Sequence, residues 1–188
     1  YPVIRLFLVT FMAEGQFSFA NLAGVLGNWY DRQAFINSLW LAAAVSAAGT
    51  ALGYAYAFTV TRIALPSWVK WLLGAVTILP LISPPFTSSI ALTLSLGPNG
   101  ILLKLLGIGN FNFYGFWGTW LSETLTYFPV AFMTLAAILS AVDPNLEDAA
   151  LSLGASPGRV FRTVTLPLSI PGIANSVLLL FAGSLADF

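Results

Sequence analysis

The stretch DPNLEDAALSLGASPGRVFRTVTLP, Asp143 to Pro167, is a polar interruption between two apolar runs. Asp143 followed by Pro144 reads as a helix start. An aspartate N-cap accepts from an orphan backbone N–H, and proline at the first helical position lacks only a donor that has no partner there. Glu147 and Asp148 fall in or near the first turns, where the helix dipole favours negative charge. Ala149 and Ala150 are strong helix formers of little bulk. Gly154 ends the helix, as glycine does just past a C-terminus. Ser156-Pro157 opens a second short helix by the same cap-and-proline device, with Arg159 and Arg162 three apart on one face. Leu166-Pro167 is expected to break that helix before the next apolar run. The predicted object is a two-helix hairpin with small residues on one limb, shaped to enter a groove on a partner.

On both sides of this hairpin the chain is too apolar for water. Its 188 residues are 58% hydrophobic, with seven basic and seven acidic side chains. Only 7% are charged, against about 25% in soluble domains. Gln33 to Thr61 and Trp71 to Leu103 carry no charge at all. Each exceeds the roughly 20 residues that cross about 30 Å of hydrocarbon. The fold class is therefore an all-α integral membrane protein.

Segment by segment, Tyr1 to Met12 is apolar apart from Arg5, too short to span alone, and reads as the end of a truncated helix. Ala13 to Arg32 is a polar connection with room for a short interfacial helix, and its Trp29-Tyr30 pair suits a membrane–water boundary. Ala34 to Thr61 is one long helix rich in alanine, glycine and serine, which permit close helix contact inside a bundle. The third span, about Val69 to Leu96, is interrupted by Pro80, Pro84 and Pro85. A broken span is a feature of transport paths, and prolines also make ordinary packing kinks; both readings stay open. Gly97-Pro98-Asn99-Gly100 is a turn, Ile101 to Leu106 a short amphipathic helix with Lys104, and Gly107 to Tyr114 a loop. The fourth span, Gly115 to Val142, starts on Phe116, Trp117 and Trp120 and contains Glu123 and Pro129. The last runs from Leu168 to Ala186, giving about five helices. The chain starts Tyr1-Pro2-Val3 and stops at Asp187-Phe188 directly after an apolar helix, so both ends are expected to be cut from something longer.

Basic residues in short loops set orientation. Arg62, Lys70, Arg159 and Arg162 fall on one side, Arg32 and Lys104 on the other, which places the hairpin in the cytoplasm. Arg5 opposes this bias and is expected to snorkel. There are no cysteines and no histidines, which removes disulfides, thiolate or zinc sites and histidine catalysis. No metal site and no cofactor are expected on this chain. With zero net charge and both hairpin helices tethered at the bilayer, a nucleic-acid partner is excluded.

One spacing is specific. Asp148-Ala149-Ala150, three residues, Gly154, nine residues, Val164, one residue, Leu166-Pro167 resembles the EAA loop of permeases in binding-protein-dependent ABC importers. The family pattern has Glu where Asp148 stands and Ile where Val164 stands; both departures keep charge or shape. Gly97-Pro98-Asn99-Gly100, Tyr127-Phe128-Pro129 and the ending Ser184-Leu185-Ala186-Asp187-Phe188 are similar to the iron(III)-type branch, although polyamine, thiamine and phosphonate permeases share parts of them.

The resemblance implies a type I ABC importer transmembrane domain filling residues 1–188, with residues 143–167 as its cytoplasmic coupling hairpin. It implies partners: a cytoplasmic ATPase dimer, a second permease domain fused or separate, an extracytoplasmic solute-binding protein and the lipid of a bacterial inner membrane. The chain would then be a transport subunit and not an enzyme, with ATP hydrolysis on the ATPase. The coupling residues it implies are Glu147, Asp148, Ala149, Ala150, Gly154, Arg159, Leu166 and Pro167. Ferric iron is the expected cargo, with a polyamine, thiamine or a phosphonate as the other candidates. Path residues are sought at Glu123, Pro84, Pro85 and Asp187. An ionisable group inside a span is a functional candidate by default, yet Glu123 lies near the outer boundary, where snorkelling or packing explains it equally well. The competing class is an ion-coupled secondary transporter or channel with no ATPase partner. A membrane-embedded enzyme would need histidine, or carboxylates facing one another, neither of which this sequence offers.

Overall fold

The computed structural model describes residues 2–13, 16–83, 85–97, 100–107 and 114–187. It divides into two units, Tyr1–Trp40 and Leu41–Phe188.

In the first unit, helix α1 (Pro2–Phe11) leads into a two-stranded ribbon, β1 (Met12–Ala13) with β2 (Gln16–Phe17). The strands are antiparallel, with Met12 opposite Phe17. Helix α2 (Ala20–Gly27) follows. The Asn21 side-chain amide donates to the carbonyls of Val9 (2.8 Å) and Met12 (3.2 Å), so a polar side chain closes the end of α1. Helix α3 (Trp29–Arg62) begins five residues before the expected Ala34. Asn28 Oδ1 accepts from the Tyr30 amide at 3.1 Å, and Asp31 sits in the first turn. These are start signals that keep polar residues inside the helix.

The second unit holds the rest of α3, then α4 (Ser67–Ile82), α5 (Pro85–Leu96), α6 (Ile101–Leu105), α7 (Phe116–Ala141), α8 (Pro144–Ser152), α9 (Pro157–Val160), a π-turn (Phe161–Thr165) and α10 (Leu166–Ala186). Among the described residues, three helical runs are long and apolar enough to cross a membrane: Trp29–Arg62, Phe116–Ala141 and Pro157–Ala186. Ser67–Ile82 and Thr87–Leu105 qualify only as a pair, bent by 108° at their break. Together with α1, these are the five apolar segments expected. Pro80 lies inside α4 and Pro85 opens α5. Pro84, the tip of the turn at 98–99 and most of the loop expected at 107–114 lie outside the described residues.

The core is the contact of α3, α7 and α10, built on Ala57, Ala131, Phe132, Leu135, Leu139 and Leu180. In lipid there is no hydrophobic gain from pairing apolar helices, so close backbone approach must hold them. A Cβ on Gly53 would lie 2.7 Å from Ala131 Cβ and 2.8 Å from the Phe132 amide nitrogen. Only glycine admits α3 to that distance. Helix α10 answers with a buried stripe of Ser169, Gly172, Ser176, Leu180 and Ser184 at helical spacing.

The last span corrects the sequence reading. No break occurs at Leu166-Pro167: the helix runs on from Pro157 to Ala186. The Leu166 amide donates to the Phe161 carbonyl, a five-residue step that widens the turn just before Pro167. A π-turn absorbs the missing proline donor and the ring's clash with the preceding turn, so the helix continues. The second limb of the hairpin is thus the start of α10's own run and not a separate helix.

Candidate functional site

The hairpin's turn chemistry is as the sequence indicates, with one exception. Asp143 accepts from the Asn145 amide at 2.9 Å, capping α8. At its other end Gly154 has φ +84°. The Ala155 amide donates to Ala150 O (3.1 Å) and the Gly154 amide to Leu151 O (2.9 Å), a Schellman ending that requires the left-handed residue. Ser156 departs from expectation: its side chain makes no cap bond among the described residues. Its backbone carbonyl instead accepts from Arg159 (2.9 Å) and Val160 (3.0 Å).

Burial sorts the expected coupling residues into two groups. Asp148, Ala149, Gly154, Arg159 and Pro167 are exposed, and Ala150 and Leu166 are half-buried. The other group is Glu147 alone, which points inward. Its Oε1 lies 3.1 Å from Arg62 Nε and accepts from the Thr165 hydroxyl at 2.7 Å. The two charged side chains are only 12% and 18% exposed. Arg62 Nη2 also donates to the Val142 carbonyl at 3.3 Å. The base of the hairpin is therefore clamped through the ends of α3 and α7, the first turn of α8 and the π-turn. Being part-buried, the ion pair is screened less than a surface pair.

Sequence reasoning missed three residues here. Arg62 registered only as a loop charge that sets orientation, and Thr165 carried no signal at all. Leu153, beside the glycine turn, is 89% exposed.

Of the expected path residues, Glu123 and Asp187 lie near one another, with the Tyr127 hydroxyl bonded to Asp187, whereas Pro85 opens α5 and Pro84 lies outside the described residues. Glu123 is buried, accepts from Ser184 of α10 through Oε2, and has no partner for Oε1 among the described residues. Tyr127, one turn along α7, donates to the Gly183 carbonyl at 3.3 Å. Glu123 and Tyr127 thereby tie α7 to α10. Asp187 is exposed at the end of α10. A separate hydroxyl-lined cleft of ≈ 150 Å³ lies between α5 and the start of α7, where Ser89 and Ser122 share a 2.8 Å hydrogen bond. Among the described residues no cluster of carboxylates could hold a metal ion.

A model of the family described as "Binding-protein-dependent transport system inner membrane component" matches residues 49–188. The ferric transport system permease protein FbpB of Actinobacillus pleuropneumoniae is 34% identical over 193 residues, spanning 100% of this chain and 28% of that protein. The molybdenum transport system permease protein ModB of Escherichia coli K12 is 36% identical over 142 residues, 72% of this chain and 59% of that one. The chain thus spans less than a third of the ferric-transport relative. Among solved structures, a bacterial ABC transporter involved in the import of the acidic polysaccharide alginate superposes with a TM-score of 0.80 at 17% identity. That match covers 99% of this chain and 67% of the other, and shows that the two share a fold.

Proposed function

Because the chain belongs to the family of binding-protein-dependent transport system inner membrane components, we propose that it lines part of the path of an ATP-driven importer and receives the motion of a cytoplasmic ATPase through residues 143–167. The observation that carries this reading is the hairpin itself. Its base is clamped by Arg62–Glu147 and its turn is fixed by Gly154. Its tip presents Asp148, Ala149 and Leu153 outward. A small, rigid, mixed apolar and charged tip is what a groove on a soluble partner accepts. Asp148 and Arg159 supply polar contacts there, and Ala149 and Ala150 allow close approach. Closure of the ATPase pair then drives the helices by rigid-body movement.

The partners follow from that role: an ATPase dimer, a second permease domain and an extracytoplasmic solute-binding protein. The chemistry of ATP hydrolysis belongs to the ATPase. Ferric iron is the cargo we favour, supported by the relative that aligns along the whole of this chain. An oxyanion is the second candidate, supported by the molybdenum-transport relative.

Reconstituting the full-length permease in proteoliposomes, with and without its ATPase subunit, tests the reading. Import of labelled ferric iron, delivered by the solute-binding protein, should need both the ATPase and ATP and fall to background without either. Uptake that persists without the ATPase, driven by an ion gradient, would sink the proposal.

A further inference from the structure

The hairpin is covalently joined to α7 and α10, yet its strongest side-chain contacts reach α3. Tyr54, Phe58 and Arg62 recur at every fourth residue and so form one stripe along α3. Each grips the hairpin's second limb or its base. The Tyr54 hydroxyl shares a 3.0 Å hydrogen bond with Ser169, one residue pair beyond Pro167. The ring of Phe161, in the π-turn, lies 5.4 Å from that of Phe58 and 6.2 Å from that of Tyr54. Arg62 closes the stripe with its ion pair to Glu147 and its bond to the Val142 carbonyl. Glu147 in turn holds Thr165, the last residue of the π-turn. Single π-turns inside helices recur at functional sites, where the wider turn gives a point of adjustment.

We infer that Arg62 is a positioning residue that makes α3 a driven element of the transport cycle, by locking the hairpin and the π-turn to the α3 stripe as one body. The inference rests on the ATPase-coupling role proposed above. Two of the stripe's contacts are aromatic or neutral and can slide. The charged one is part-buried, and each of its members is bonded to a further group, Arg62 to the Val142 carbonyl and Glu147 to the Thr165 hydroxyl. Losing it frees the hairpin to move with α7 and α10 alone. A part of the ATPase stroke then never reaches α3.

The test is hydrogen–deuterium exchange on the full-length permease bound to its ATPase, with and without a nonhydrolysable ATP analogue. In the unaltered protein the nucleotide should change exchange in both the hairpin, residues 144–160, and the end of α3, residues 54–62. In Arg62→Gln the hairpin response should stay while the α3 response falls about tenfold, within the range that single residues exert on coupling. Arg62→Lys, which keeps the charge, should recover most of the α3 response. A residue that merely stabilised the fold would change exchange without nucleotide and leave the difference intact. An α3 response that survives in Arg62→Gln overturns the inference. Should that variant fail to insert, Glu147→Gln decides: it removes the charge that Arg62 pairs with, and an undiminished α3 response there is equally fatal. If the nucleotide alters neither segment of the unaltered protein, the coupling role itself fails and this inference falls with it.

Discussion

Gly154→Val is expected to abolish import while leaving the permease in the membrane at its normal level. Residue 154 sits at φ +84°, and no atom lies within 4 Å of a Cβ built there. The cost is therefore backbone strain and not collision. For an L-residue the left-handed region costs roughly 1–2 kcal/mol, and a β-branched side chain costs more. That strain is comparable to what two hydrogen bonds in the turn return, about 0.5–1.5 kcal/mol each. The chain relieves it by opening the turn, which re-aims Leu153 and the end of α8. Membrane insertion depends on α3, α7 and α10, none of which feels residue 154. Import should fall at least about tenfold, with loss of ATPase co-purification. Gly154→Asn should behave almost normally, because asparagine tolerates the same conformation. Equal import by the valine and asparagine variants would show that the turn does not position the contact.

Gly53→Ala should have the opposite signature, with less folded protein and normal behaviour of what remains. One methyl there meets the Ala131 side chain and the Phe132 backbone at 2.7–2.8 Å. Backbone cannot rotate away, so α3 and α7 must separate along their buried length. Overpacking of this kind costs about 3 kcal/mol. Gly49→Ala is the control. Its nearest neighbour, at 2.6 Å, is the flexible end of Leu180, which can change rotamer, at a cost of about 1 kcal/mol. Thermal aggregation in detergent, followed by size-exclusion chromatography, should rank the proteins as unaltered, then Gly49→Ala, then Gly53→Ala. A Gly53→Ala protein as heat-resistant as the unaltered one would mean the close approach is not what holds these helices.

The two variants separate what was readable in the sequence from what was not. Asp143, Pro144 and Gly154 obey local rules of capping and backbone conformation, and the structure uses them as those rules dictate. The uninterrupted helix through Pro167 was not readable. Its π-turn is held from outside, by Thr165 on Glu147 and Phe161 on Phe58. Arg62 was hidden for the same reason: its partners, Val142 and Glu147, lie far along the chain. Charge counting assigns such an arginine to a loop. Only the packed bundle reveals it as a clamp. Gly53 belonged to a small-residue run whose contact role was anticipated, but nothing local distinguished it from Gly49.

Residue 153 gives the most direct access to the claim that this hairpin meets an ATPase. Leu153 is 89% exposed and takes no part in the clamp. In a full-length, otherwise cysteine-free transporter, Leu153→Cys labelled with a short thiol-reactive photocrosslinker should couple on irradiation to the ATPase subunit at high yield. Trp29→Cys, at the far end of α3 and 59% exposed, should not. A transport-competent complex in which position 153 never reaches the ATPase, or couples instead to the solute-binding protein, would contradict the assignment of residues 143–167 as the coupling element.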